Sequence, residues 1–212
     1  MDKKNIYFIG GSPCAGKSTV AEYLSQKYGM YYFKVDDQLD RYVEMGAKKG
    51  LEMCAMFSCL NADQTWMRDP QVQCRDELAW YEEVFEFFLE DIEKLQVDRP
   101  VITEGAAFLP VLMKKIGVAQ KRYISITPTA EFQLCHYKQR HWIPYILADC
   151  KDKEKCYENW MNRDILFAGD VRRQCAQENY RFVVNDGSRS IEEMRALVIE
   201  HFELDKGEIY AE

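Results

Sequence analysis

The sequence has no long apolar run; nothing in its 212 residues approaches the ~20 consecutive apolar positions that a membrane-spanning helix needs. It is also poor in histidine, with three, and none of them sits in a recognisable ligand or nucleophile motif. Eight cysteines are scattered at 14, 54, 59, 74, 135, 150, 156 and 175 without a single C-x-x-C. That scatter excludes a disulfide framework and the common zinc spacings, and leaves free thiols, some buried as small apolar groups. Cys150 and Cys156 flank a charged stretch near His136 and His141, but their spacing matches no zinc pattern. Positive charge is in deficit as well. Lys and Arg number 28 against 35 Asp and Glu, a net −7, which disfavours a nucleic-acid partner. There are no repeats, low-complexity tracts or obvious linkers. Met1-Asp2-Lys3-Lys4 leads at once into an apolar segment, so the expectation is a cytoplasmic chain with no signal peptide and no membrane partner. The length suits one α/β domain over 1–212, carrying an insertion or lid.

What the chain does have is Gly11-Ser12-Pro13-Cys14-Ala15-Gly16-Lys17-Ser18, followed by Thr19. This fits G-x-x-x-x-G-K-[ST], the loop that cradles nucleotide phosphates. An apolar segment, 5–10, delivers the chain into it, and Val20, Tyr23 and Leu24 then recur at helical spacing. Gly11 and Gly16 let the backbone approach phosphate oxygens, and the helix N-terminus favours negative charge. Lys17 reaches the terminal phosphates and the Ser18 hydroxyl can ligate Mg²⁺. Pro13 has no N–H to donate. Cys14, near a helix N-terminus and Lys17, is expected to have a lowered pKa.

Further short apolar segments at 31–35, 100–104, 121–127 and 181–185 read as strands. Helical stretches between them imply crossovers and a parallel sheet. The second and third are separated by more than sixty residues, far more than one crossover needs. Leu78, Tyr81, Phe85, Phe88, Ile92 and Leu95 repeat at three and four, an amphipathic helix whose acidic stripe reads as a solvated face. Before it lies a Met- and aromatic-rich insertion, about 38–75. Before the last strand lies a second long stretch, about 130–175, dense in Arg, Lys and aromatics.

Ligands of open parallel sheets bind beyond the carboxyl ends of the strands. The phosphate loop, Asp36-Asp37 and Glu104 all fall there. Phosphoryl transfer asks for held phosphates, a metal, cations on the moving group and a carboxylate for the attacking hydroxyl. Asp36 is placed for the carboxylate role, with an N-cap as the competing role, for which Asp37 is better placed. Glu104 either holds Mg²⁺ or the acceptor, or is tied up by backbone N–H groups after its strand. Arg140 and Arg163 are candidates for supporting transfer, or else surface arginines paired with carboxylates such as Asp164. Arg68 is the candidate for gripping an acidic acceptor.

The phosphate loop, the Asp after the second strand (Phe33-Lys34-Val35-Asp36-Asp37), the long insertion and the Arg-rich stretch resemble the P-loop small-molecule kinases. These include nucleoside monophosphate, shikimate and gluconate kinases and chloramphenicol phosphotransferase. The resemblance implies a P-loop α/β fold of sheet order 2-3-1-4-5 and an ATP-dependent, Mg²⁺-using kinase. It also implies Asp36 as base, a lid over 130–175 whose arginines, Arg163 among them, clamp ATP phosphates, and a loop at Asp186-Gly187-Ser188-Arg189 that meets adenine through Gly187 and Ser188. The third strand ends Thr103-Glu104-Gly105-Ala106, without the three glycines of shikimate kinases or a Walker B Asp. There is no Asp-Gly-x-Pro-Arg, which points away from a monophosphate acceptor, and no Asn-Lys-x-Asp, which points away from a GTPase. The expected activity is transfer of the γ-phosphoryl group to a hydroxyl of a small metabolite. The alternatives are an ATP-binding switch or slow NTPase without a small acceptor, or a nucleoside monophosphate kinase.

Overall fold

Successive side chains of a strand leave it on opposite sides, and in β1 (Ile6–Gly11) this divides the core in two. Ile6 and Phe8 join one apolar cluster, Tyr7 and Ile9 the other. All six residues are buried, as a parallel strand covered on both faces requires. The computed structural model describes residues 5–205. β2 (Tyr31–Lys34), β3 (Val101–Glu104), β4 (Tyr123–Pro128) and β5 (Arg181–Asn185) complete an all-parallel sheet. Its order is β2-β3-β1-β4-β5, the order that the resemblance implied. β4 begins two residues later than its apolar segment because 120–122 form a 3-10 turn.

On one face α1 (Lys17–Tyr28) and α10 (Ile191–Phe202) bury Val20, Leu24, Val198 and Phe202 against Ile9, Ile124 and Ile126. On the other, α5 (Pro70–Lys94), α6 (Pro110–Lys115) and α9 (Lys153–Glu178) bury Phe88, Met113, Phe167 and Val171 against Phe8 and Tyr123. α5 starts well before the periodic run that betrays its later turns. Asp69 caps it, accepting from the N–H groups of Gln71 and Val72, and Pro70 occupies its first position.

The insertion is three short helices, α2 (Leu39–Lys48), α3 (Glu52–Cys59) and α4 (Ala62–Trp66). It is tied to α5 by polar contacts. Glu83 accepts from the N–H groups of Met53 and Cys54, both at 2.9 Å, and the Tyr42 hydroxyl donates to Asp91 at 2.6 Å.

The 130–175 stretch is α7 (Ala130–Tyr137), a connection containing the single turn α8 (Ile143–Ile146), and most of α9. α9 buries Cys156, Trp160, Phe167, Val171 and Cys175 and packs against α5. Residues 138–152 connect α7 to α9, and the Lys151 N–H donates to Asp63 of α4 at 3.0 Å. A third, small cluster of Tyr137, Ile143, Leu147, Trp160 and Met161 takes in Trp66 of α4 and Cys14 of the phosphate loop. Among the described residues no helix is long and apolar enough to cross a membrane.

Candidate nucleotide and acceptor site

β1 ends at Gly11, whose φ of +126° favours glycine. A Cβ there would stand 1.8 Å from the carbonyl oxygen of Ile126 on the neighbouring strand, so no other residue fits. Cys14 (φ 62°) and Gly16 (φ 89°) are also left-handed. Turns of this kind are the backbone form of an anion nest, and α1 opens directly behind this one. The loop is pinned to the far strand: Asn185 Nδ2 donates to the carbonyl of Ala15 at 3.2 Å. Lys17 is buried and its Nζ donates to the Ser12 carbonyl at 2.8 Å, folded back along its own loop.

Glu104, 2% exposed at the end of β3, faces the start of α1. Its Oε1 accepts from the Ser18 hydroxyl at 3.0 Å and from the Tyr32 hydroxyl at 2.9 Å. Its Oε2 is buried with no partner. The carboxylate is therefore held by two hydroxyls and not by backbone N–H groups. A buried carboxylate oxygen left unpaired costs free energy, and a hydroxyl beside a carboxylate is the hard-oxygen donor set that suits Mg²⁺. The residues present fit that ion.

Asp36 follows β2 in a 3-10 turn, and neither Asp36 nor Asp37 caps a helix with its side chain. Gly105 makes room for it: a Cβ on Gly105 would lie 3.0 Å from Asp36 Oδ1 and 2.1 Å from Val35. Asp36 is exposed as a residue, yet protein packs closely round its carboxyl group. That loss of hydration pushes its pKa up to about 6; Lys17 opposes the rise, and Glu104 and Asp37 add to it.

Two cavities bear on this site. One of about 480 Å³ lies beside the phosphate loop, between Cys14, Gly16, Phe132, Arg140, Asn185 and Gly187. His136 stacks on Phe132 there, ring centres 3.8 Å apart. Arg140 packs over Tyr137 and Trp142, and its charge lies close enough to the Cys14 thiol to favour the thiolate. Ser188 stands off this wall, its N–H and hydroxyl both donating to Asp186. The expected lowering of the Cys14 pKa is corrected: burial raises it, outweighing Arg140 and Lys17.

The other cavity, about 380 Å³, is lined by Phe57, Trp66, Arg68, Glu77, Trp80 and Arg163, with Asp40 at its edge. Arg68 Nη1 donates to Asp76 at 2.7 Å. Arg163 stands in this cavity wall, buried between Glu77 and Asp164 at 2.6 Å from each. The Tyr81 hydroxyl donates to Glu77 and the Tyr137 hydroxyl to Asp164. Burial pushes Glu77 up to about 7 and raises Asp164, although Arg163 pulls both down. The cavity adjoins the phosphate centre electrostatically: Tyr81 feels Asp36, and Asp164 feels Lys17.

The structure thus brings Lys17, Ser18, Asp36 and Glu104 to one sheet edge, with Arg140 beside the first cavity and Arg68 and Arg163 beside the second. Tyr32, Glu77, Asp164 and Asn185 were not singled out from sequence as site residues. Asn185 carried a usable signal, being the last residue of a strand whose carboxyl end meets the site. Cys150 and Cys156 are buried free thiols, with Cys156 pushed up to about 12 by burial and then by Cys150. Among the described residues no group of three or more His, Cys, Asp or Glu side chains is arranged to hold a metal.

No protein-family model and no curated protein matches the chain. Among solved structures it is similar to a shikimate kinase from Aquifex aeolicus vf5 at 17% identity, over 95% of this chain and 98% of that one, TM-score 0.43. A gluconokinase from Sinorhizobium meliloti 1021 is similar at 12% identity, over 94% and 91%, TM-score 0.46. A shikimate kinase from Acinetobacter baumannii in complex with shikimate is similar at 16% identity, over 96% and 94%, TM-score 0.46. A parallel sheet of order 2-3-1-4-5, with a phosphate loop running from the central strand into a helix, gives the chain a P-loop α/β fold.

Proposed function

We propose that the protein is an ATP-dependent kinase that moves the γ-phosphoryl group to a hydroxyl of a small molecule. The observation that carries the reading is Asp36, a carboxylate of raised pKa that feels Lys17 and Glu104, the partner of Ser18, with one cavity lined by the phosphate loop and a second lined by Glu77 and Arg163.

In this reading the phosphate loop binds the β- and γ-phosphates, and Lys17 exchanges the Ser12 carbonyl for phosphate oxygen. The cavity of Phe132, Asn185 and Gly187 takes the base. Ser18 and Glu104 would hold Mg²⁺, which supplies charge neutralisation on the phosphates. Asp36 orients the acceptor hydroxyl and accepts its proton as that oxygen bonds to the γ-phosphorus. The bond from γ-phosphorus to the ADP oxygen breaks, and ADP leaves with its electron pair. Arg140 is the cation placed to reach the phosphates from the connection between α7 and α9. Arg163, already engaged by two carboxylates, positions the acceptor side.

Incubation with Mg·ATP and pooled small alcohols, read by mass spectrometry, tests the reading. A phosphorylated alcohol formed in step with ADP is the expected result; ADP and free phosphate alone would overturn it.

A gate is part of the same reading. Residues 138–152 carry exposed apolar side chains, Tyr145 at 77% and Ile146 at 43%, and join the phosphate loop through the Trp66–Trp142–Trp160 cluster. Closure over nucleotide would exclude water from the phosphates. Amide exchange across 138–152 is expected to slow by about tenfold or more with a non-hydrolysable ATP analogue, while α9 beyond Trp160 stays protected in both states. Equal exchange with and without the analogue would remove the gate.

A further inference from the structure

The second cavity has aromatic walls and no spare positive charge. Trp66, Trp80 and Phe57 supply flat apolar surface. Trp66 is held rigid by stacking on Trp160, ring centres 4.4 Å apart, and Trp80 by stacking on Tyr81 at 4.9 Å. Its two cations are both engaged. Arg68 is paired with Asp76, which also holds Arg75, and Arg163 sits between Glu77 and Asp164. Three guanidinium groups (Arg68, Arg75, Arg163) thus meet three carboxylates (Asp76, Glu77, Asp164), and a fourth carboxylate, Asp40, lines the cavity.

An anionic ligand would have to take Arg68 from Asp76 or Arg163 from Glu77. The second exchange strands Glu77, whose side chain is 9% exposed, and the first leaves Asp76, 10% exposed, with the more exposed Arg75 alone; a buried charge that loses its partner is costly. A neutral ligand asks for no such exchange. Each guanidinium has five N–H donors, and those not pointed at carboxylates can donate to hydroxyl or carbonyl oxygens. A volume of about 380 Å³ is within the range of small-ligand pockets.

We infer that the phosphorylated alcohol is an uncharged molecule with a flat apolar face, a sugar-like ring or an aryl-bearing alcohol, and not a carboxylate or a phosphate ester. This rests on the kinase reading and narrows it. The earlier expectation that Arg68 grips an acidic acceptor is replaced by one in which Arg68, neutralised by Asp76, shapes the wall and donates to oxygen.

The test is a panel of matched alcohols that differ only in charge: phenyl glucoside against phenyl glucuronide, and hydroxylated ring carboxylates against their amides. Phosphorylation is read as kcat/KM and binding as quenching of tryptophan fluorescence. The neutral member of each pair is expected to be preferred by at least about tenfold. Asp76→Asn, which releases Arg68, is expected to raise kcat/KM for the acidic members by about tenfold and to shrink the preference. Asp40→Asn, on the exposed side of α2, is expected to move it the same way by a few-fold, and serves should Asp76→Asn fail to fold. Preference for the acidic members in the unmodified protein would overturn the inference and leave the kinase reading intact, as would a folded variant with no gain for acids. If ATP binds but no member of either charge is bound or phosphorylated, both fall.

Discussion

Lys17→Ala is expected to weaken Mg·ATP binding by about 10- to 100-fold. The ammonium group is the one cation built into the phosphate loop, and hydrogen bonds to charged groups contribute about 1.5–3 kcal/mol each. The fold should survive. Lys17 Nζ bonds only the Ser12 carbonyl within the loop, and the turns at Gly11, Cys14 and Gly16 do not depend on it. Transfer should fall further than binding, since charge accumulates on the phosphates in the transition state and one such donor is worth ~10²–10³ in rate. A second signature is independent of ATP. Lys17 opposes the rise in the Asp36 pKa, so its removal should carry that pKa above about 6. Calorimetric titration with the nucleotide, alongside a thermal melt, measures the first effect. An unchanged affinity in a folded variant would remove the nucleotide assignment.

Much of the fold is written locally in the chain. Five short apolar runs, each stopped by Gly, Pro or Asp, mark the strands; the three central ones, β1, β3 and β4, are buried on both faces and need no alternation, and the edge strands β2 and β5 are only partly covered. Gly11, Gly16 and Lys17 fix a loop whose geometry is set within eight residues. α9 was harder to see. Its inward stripe runs Cys156, Asn159, Trp160, Asp164, Phe167, Val171, Gln174, Cys175, so polar residues break the apolar period where Asp164 and Asn159 find partners. Asn159 donates to Trp66 of α4, and Asp164 accepts from Tyr137 of α7 and pairs with its neighbour Arg163, which itself reaches Glu77 of α5. Distance along the chain also hides the second cavity. Nothing local says that Trp66 stacks on Trp160, or that Glu77 reaches Arg163 across eighty-odd positions. The Cys14 pKa fails for a related reason. Helix and lysine are visible in the sequence, but the burial that outweighs them is not.

Asp36→Asn is expected to bind ATP normally and to lose turnover by ~10²- to 10⁴-fold, the usual contribution of a positioned general base. Asparagine keeps the size beside Gly105 but cannot take the proton. The pH profile separates this from mere disturbance. With a pKa of about 6, Asp36 is protonated below that value and cannot act. The rate should fall about tenfold per pH unit under pH 6 and level off above it, and the variant should show no such limb. Stability should move the other way. The folded pKa lies above the ordinary 3.8, so the native state binds this proton more tightly than the unfolded chain. Ionisation therefore destabilises the fold progressively as pH rises from about 3.8 through 6, and fully above that. Asparagine removes the penalty. Because Asp36 is exposed as a residue, the gain near neutrality should be on the order of 1 kcal/mol, or about 2–4 °C in Tm, vanishing in acid. A variant less active and more stable at pH 7, with both differences closing as pH falls, is what a base held at the expense of stability would give. Wild-type turnover in the variant would instead move the proton acceptor to Asp37 or Glu104.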